Sequence, residues 1–400
     1  MERYRCDRME AVQDSIWFRT ISAEQRALLA ASDPLPETAE VVVVGAGLIG
    51  LATAYYLRRA GIRDICIVDR CGPSSEASGA NAGGLWFGQQ SPELGPVARL
   101  AEASSRLYKE LAERFEIDFR RPGMLELCFD EAEAATLDER CKGIRASGLG
   151  AEKLSGKQAR SLEPALAIEP IAAAFYPDEG KLHPVKLACS LLGELRANGV
   201  RVCSGVEAER LGDSVETNQG AIRAGTTVIA AGAWTPLLTR TIGWEPPIRP
   251  IRGTLLALPA SPDAGLLHTV MSGKYYYWQL ASGQIAGGGS EDDVGFEHGV
   301  EEATVADIRA EMARHFPAFA KQETLCAWSG FRPYCEGLRP VIGAVPGRER
   351  TFVAAGHFKK GVMMAPVSGK ILADLIVSGE TDLEIEALRP DRFGGNTNAA

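Results

Sequence analysis

Gly45, Gly47, Gly50 and Asp69 have the types and spacing to hold the phosphates and ribose of a dinucleotide. Gly45 permits a tight turn, and Gly47 lets backbone amides approach a pyrophosphate with no Cβ in the way. Gly50 allows a helix to pack close to a strand, and Asp69 is placed to accept hydrogen bonds from an adenosine ribose. Far along the chain stands Arg332, whose planar guanidinium can grip a carboxylate through two parallel bonds. Burying it without an anion would be costly, so an interdomain salt bridge is the other role open to it. Tyr276 lies in the run Tyr275–Trp278, which alternates on a strand so that one pair faces each side. It suits either a substrate lid or an aromatic core. Lys359 suits either a ligand contact or a solvated turn.

The surrounding residues supply the elements that would position these groups. Residues 41–44 are four valines running straight into the glycine turn, and the helical stretch 51–60 follows at once. Gly61 stops it, and a second apolar strand, Ile65–Val68, ends on Asp69. This is the context that turns a Gly-x-Gly-x-x-Gly match into a dinucleotide site, with the helix N-terminus offering N–H groups and positive dipole to phosphates. Residues 1–38 read as an extension packed on the surface, with a short helix at Ala23–Ala31. Helices are expected at Leu94–Phe115, Ala132–Ser147, Pro184–Asn198 and 301–315. Strands are expected at Gly123–Phe129, Val200–Val206, 226–232 and 351–355, with short β-rich runs between Pro246 and Ser290 reading as an antiparallel sheet. Gly356–Gly361 is a turn, and Val362–Ser378 a helix interrupted early by Pro366.

Composition narrows the classes. The chain has 400 residues, 46% of them hydrophobic and 24% charged, which is ordinary for a globular protein. A net charge of −9 argues against nucleic acid or an anionic membrane as partner. No apolar run approaches the ~18 residues of a bilayer span, and no secretory signal follows Arg3, Arg5 and Arg8. Nine cysteines without Cys-x-x-Cys pairs read as reduced thiols in a cytoplasmic protein. Five scattered histidines support no metal site.

Only one glycine triplet sits in the right context, whereas an enzyme passing hydride between NAD and a bound flavin would usually show two. A simple nicotinamide dehydrogenase would not need the late strand–turn–helix at 351–378. That element presents N–H groups and the pair Lys359–Lys360 at a helix start, as needed beside the anionic N1–C2=O edge of a reduced flavin. Four segments in this order resemble the D-amino-acid oxidase superfamily of FAD enzymes, above all glycine oxidases and bacterial D-amino-acid dehydrogenases. They are Val-Val-Gly-Ala-Gly-Leu-Ile-Gly (43–50), Ala-Ser-Gly-Ala-Asn-Ala-Gly-Gly (77–84), Trp-Ser-Gly-Phe-Arg-Pro to Pro-Val-Ile-Gly (328–343) and Ala-Ala-Gly-His-Phe-Lys-Lys-Gly-Val-Met-Met-Ala-Pro (354–366). Gly-Gly-Leu-Trp at 83–86 also resembles the hydrogen cyanide synthase and opine oxidase subunits.

The resemblance implies an α/β fold: a Rossmann-like FAD domain of the glutathione-reductase type (39–115, 178–248, 329–393) interleaved with an antiparallel-sheet α+β substrate domain (116–177, 249–328). It places Leu48 and Ile49 at the pyrophosphate, Asp69 and Arg70 at the ribose, and Val206 near the adenine. Ala77, Ser78, Ala82, Gly83 and Gly84 would line the loop beside the flavin. His357, Phe358, Lys359, Lys360, Gly361, Val362 and Met363 would wrap its pyrimidine end. Arg332 matches the family's carboxylate-binding arginine, Tyr276 its active-site tyrosine, and Lys359 a second arginine of glycine oxidases. Cys335 stands where the family often has Thr, and 333–338 departs from the usual pattern, so an unusual substrate pocket is expected. Sarcosine oxidases attach flavin through a cysteine in this region, but the neighbouring residues match the non-covalent relatives better, and FAD is expected to be non-covalent.

The implied activity is oxidation of the C–N bond of glycine or a D-amino acid by hydride transfer to flavin N5, giving an imine and then a 2-oxo acid and ammonia. No general base is required. The alternatives are a secondary amine (sarcosine, proline, an opine or a γ-glutamyl amine) as substrate, or a flavoprotein subunit of a larger complex. Oxygen or a quinone would take the electrons, and a homo-oligomer or flavoprotein complex remains open.

Overall fold

The computed structural model describes residues 14–88, 95–261 and 264–394. Two eight-stranded sheets share the chain. In the first, the buried valines of Thr38–Val44 lie at the centre, paired in parallel with Ile65–Asp69 on one side and Gly220–Ile229 on the other. Arg201–Ser204 extends one flank and Thr351–Ala355 the other, both in parallel, and Val341–Ala344 closes the edge antiparallel. Strands buried on both faces read as continuous apolar runs, which is why the valines were legible as a strand. The antiparallel strands Ala208–Leu211 and Ser214–Thr217 hang from Gly220–Ile229.

The helices Leu48–Arg59, Gly95–Arg114, Pro184–Ala197 and Gly361–Ser378 share one large core. The last two bury most of their side chains. The stretch Phe358–Ser378, which includes the last helix, is long and apolar enough to cross a bilayer, unlike any segment expected from the sequence, and most of it is spent in this core. Gly369 sets how closely it approaches Leu48–Arg59. A Cβ there would lie 2.6 Å from the Ala52 carbonyl carbon and 2.7 Å from the Thr53 nitrogen. Pro366 does not interrupt this helix. Proline cannot donate to the carbonyl four residues back, that of Val362, and the phenol of Tyr108 donates to it instead.

The second sheet runs Cys326–Cys335, Ile248–Leu258, Ile285–Gly288, Tyr275–Gln279, Thr269–Ser272, Met124–Cys128, Ala172–Tyr176, Glu152–Ser155. It is mixed, not antiparallel throughout, because Thr269–Ser272 pairs in parallel with Met124–Cys128. The chain between them passes through the first sheet, a connection long enough for parallel pairing. Cys326–Cys335 pairs along its whole length with Ile248–Leu258, so the chain leaves this sheet after Cys335, not at residue 329. The alternation at 275–278 holds: Tyr276 and Trp278 pack with Trp328, while Tyr275 and Tyr277 face the helix Glu302–His315.

Two further expectations change. The N-terminal extension does not lie wholly on the surface: among its described residues Ile16, Trp17 and Phe18 are buried in the same cluster as Trp278 and Trp328, while the helix Ala23–Ala30 buries none. The apolar triplet inside an otherwise polar stretch was the signal. Among the described residues seven cysteines are free and buried, but Cys71 is disulfide-bonded. It sits half-buried on the turn after Ile65–Asp69, whereas the others are buried on strands or, for Cys141 and Cys189, on helices.

Tyr108→Phe removes the donor to Val362 and leaves a buried carbonyl unsatisfied. A loss of about 1–3 kcal/mol in urea-unfolding stability is expected, with the helix content unchanged by circular dichroism.

Candidate active site

A cavity of about 780 Å³ opens at the carboxyl ends of the central parallel strands, where Val44, Val68, Ala230 and Ala355 line it. That is where an open α/β sheet leaves room for a ligand. The helix Leu48–Arg59 starts on Gly47, which supplies no side-chain cap, and its positive dipole end lies at this space. Leu48 N donates to Ser78 Oγ at 2.9 Å, and a Cβ on Gly47 would come 3.0 Å from that oxygen. Gly45 (φ +111°) passes so near the strand end that a Cβ would sit 2.4 Å from Ala230 O.

Asp69 lines the cavity, but its carboxylate already accepts from the amides of Ala46 (2.8 Å), Cys71 (2.9 Å) and Gly72 (2.7 Å). Of about four acceptor positions on a carboxylate, roughly one remains for a ligand. Arg70 Cζ sits over the indole of Trp234, 3.8 Å from the ring centroid, and the guanidinium pairs with Glu76 at 2.7 Å. Burial pushes the Glu76 carboxyl up to about 7, with Arg70 opposing. Val206 spends its amide on Asp69 O, so its carbonyl and side chain are what it presents.

The end of the short helix Ala77–Ala80 and the loop after it are held by five donors. Ser15 Oγ donates to Gly79 O (2.8 Å), Trp328 Nε1 to Ala80 O (3.0 Å), and Trp17 Nε1 to Asn81 O (2.6 Å). Lys181 Nζ donates to Ala82 O (3.2 Å) and Leu182 N to Gly83 O (3.0 Å). Five consecutive carbonyls, Gly79 to Gly83, thus find donors from three distant stretches of chain. Lys181 is buried with its ammonium 3.8 Å above the Trp278 ring, and burial pushes its pKa well down.

Across the cavity, Arg332 Nη1 donates to Ser290 O at 2.6 Å and Nη2 to the Tyr276 phenol at 3.4 Å. Among the described residues no carboxylate forms an ion pair with Arg332. Lys359 lines the same cavity but pairs with Glu291. Trp86 meets Tyr276 edge-on, centroids 4.8 Å apart, and folds back so closely that only Gly84 fits beneath its indole. His357 is buried, bonded through Nε2 to Ser368 Oγ (2.9 Å), and held neutral by burial with its pKa pushed down to about 3.

Of the residues singled out from the sequence, Gly45, Gly47, Leu48, Ile49, Asp69, Arg70, Ala77, Ser78, Ala82, Gly84, Val206, Tyr276, Arg332, His357, Phe358, Lys359, Gly361 and Val362 all line this one cavity. Gly50, Gly83, Lys360 and Met363 do not. Gly50 is a packing glycine whose Cβ would lie 1.9 Å from Gly45 O, and Gly83 (φ +65°) is pressed against Leu182 O and Trp17. Lys360 is displaced by the helical turn that puts Lys359 at the cavity, and burial pushes it down to about 8. Met363 is buried, its carbonyl taken by Ser104. Cys335 is wholly buried beside Arg392 and is not a lining residue, in keeping with non-covalent FAD. Sequence reasoning missed Glu76, Trp234 and Phe331 as lining residues. Gly-Ala-Trp directly after the small-residue strand end was the available signal for Trp234.

Comparison with known proteins agrees with this geometry. A family described as DAO, FAD dependent oxidoreductase, matches residues 40–375. Glycine oxidase of Geobacillus kaustophilus is 28% identical over 360 residues, covering 86% of this chain and 95% of the relative. The crystal structure of glycine oxidase from that species superposes with a TM-score of 0.85 at 27% identity, over 89% of this chain and 99% of the other. D-amino acid dehydrogenase of Vibrio cholerae is 27% identical, covering 86% and 96%. L-proline dehydrogenase from P. horikoshii has a TM-score of 0.82 at 25% identity, covering 90% and 98%.

The segment that braces the cavity carries a pH dependence. His183 Nδ1 accepts from Lys186 N as a helix cap, and its Nε2 meets Thr20 Oγ1 at 3.0 Å. Burial pushes its pKa down to about 4. The unfolded chain binds a proton near 6.5 and the folded chain only near 4. The stabilisation is therefore complete above 6.5 and lost as pH falls toward 4, about 3 kcal/mol for this group. Thermal midpoints across that range should fall steeply in the wild type and more gently in His183→Asn, which keeps a capping acceptor.

Proposed function

We propose that this chain, which belongs to the FAD-dependent oxidoreductase family, oxidises the C–N bond of a small amino acid, glycine or a D-amino acid. The observation that carries this is Arg332: a guanidinium at the cavity wall whose partners are a backbone carbonyl and a phenol, both neutral. Such a group is stabilised by an incoming carboxylate. The residues present also fit FAD, with a helix start on Gly47 and close-set glycines at one end of a cavity large enough for a dinucleotide.

Gly45–Ile49 and Ser78 would hold its pyrophosphate, Asp69, Arg70 and Val206 its adenosine, and His357–Val362 with Ala82 and Gly84 its ring system. Bound FAD supplies the acceptor for the two electrons of the C–H bond beside nitrogen. The chain's own residues do the rest. Arg332 takes the carboxylate and fixes the α-carbon, Tyr276 orients the guanidinium, and Trp86 with Tyr276 walls the substrate from water. The imine released hydrolyses to a 2-oxo acid and ammonia. His357, neutral and bonded to Ser368, takes no proton in this scheme.

A secondary amine is the second reading, favoured by the apolar surface that Trp86, Leu255, Phe331 and Pro333 offer an N-substituent. Anaerobic bleaching of the flavin by glycine and D-alanine, against sarcosine, proline and iminodiacetate, separates the two. The first reading expects the primary amines to bleach faster. No bleaching by any of them overturns both. Peroxide yield in the same reaction under air distinguishes oxygen from a quinone as acceptor. Arg332→Ala should lower kcat/KM by about a hundredfold or more, with the visible spectrum of bound FAD retained.

A further inference from the structure

Resting on that reading of Arg332, we infer that Gly253 is a positioning residue that seats the guanidinium against the sheet. Gly253 lies within the strand Ile248–Leu258, facing Gly330 on Cys326–Cys335 in a ten-residue register that also pairs Ile251 with Arg332 and Leu255 with Trp328. Its φ is not in the left-handed region, so its backbone asks for no glycine. A glycine in the interior of a strand weakens it, and one kept there without a conformational need marks a close approach. The approach is Arg332. A Cβ at 253 would stand 2.0 Å from Nη1, 2.2 Å from Cζ and 2.3 Å from Nη2. The guanidinium therefore lies across the strand, in the gap where a side chain belongs. From there Nη1 reaches Ser290 O and Nη2 the Tyr276 phenol.

Three glycines share this work. Opposite, Gly330 admits the Ala80 methyl of the cofactor loop, and a Cβ there would be 2.4 Å from it. Gly289 clears the ring of Tyr276, 2.8 Å from a Cβ, although its own φ of +123° would favour glycine anyway. Gly253 and Gly330 both have ordinary strand geometry, and at Gly253 the three atoms nearest a Cβ all belong to the anchoring group. The role of Gly253 is thus separable from backbone strain. Any side chain at 253 lifts the guanidinium off the sheet and out of line with both Ser290 and Tyr276, so the carboxylate of the substrate is met at the wrong height.

The test is a cycle of Gly253→Ala and Arg332→Ala in FAD-loaded protein. In the wild-type background, Gly253→Ala should raise KM for the amino-acid substrate by about ten- to a hundredfold, with a smaller effect on kcat. It should also lower the thermal midpoint. In the Arg332→Ala background, where nothing occupies the seat, Gly253→Ala should change the midpoint no further. An equal drop in both backgrounds overturns the inference, since it would show an alanine intolerable to the sheet itself. A Gly253→Ala enzyme with unchanged KM also overturns it. Should the wild type oxidise no amino acid, the reading of the function fails, while the melting cycle still decides the seat.

Discussion

Everything near the cavity depends on five carbonyls in a row having no partners within their own loop. A backbone stretch buried in this way must find donors elsewhere or lose more than a typical hydrogen bond at each position. Here Gly79 to Gly83 find them in Ser15, Trp328, Trp17, Lys181 and Leu182. The donors come from the N-terminal segment, the edge strand of the second sheet and the crossing near residue 182. The loop is a fastening point between both sheets as well as a wall of the cavity. Trp17 and Trp328 each bury a large ring while using the indole N–H on this loop, which joins apolar packing to a polar requirement in single residues.

The electrostatics of the cavity follow a similar economy. Arg70 is matched by Glu76 and Lys359 by Glu291, so each brings little net field. Arg332 is left with neutral partners. Of these three cations it is the one without a carboxylate partner among the described residues, and it stands on the side of the cavity formed by the second sheet. The strand ends of the first sheet, with the helix start on Gly47 and the crowded glycines, stand opposite.

Local patterns were legible in the sequence and distant fastenings were not. The valine run, the glycine turn and the strand at 351–355 each declare themselves over a few residues, because burial and turn geometry act on neighbours. Arg332 and Tyr276 were legible through the motifs around them. The continuity of the helix across Pro366 was hidden, since the phenol that satisfies Val362 is over 250 positions away. Trp17 and Lys181 were hidden for the same reason: they bind backbone carbonyls, which leave no mark on the partner's residue type. The parallel pair in the second sheet was obscured by a connection that runs through the other sheet.

The bracing of that loop also dictates an order of events at the ribosome. Ser15 and Trp17 emerge first, yet the loop they grip needs Lys181 and, last of all, Trp328 before its backbone is saturated. The strand Thr351–Ala355 and the helix Gly361–Ser378, which complete the first sheet and its core, leave the tunnel later still. A nascent chain therefore has no finished pocket to offer until the helix Gly361–Ser378 has emerged.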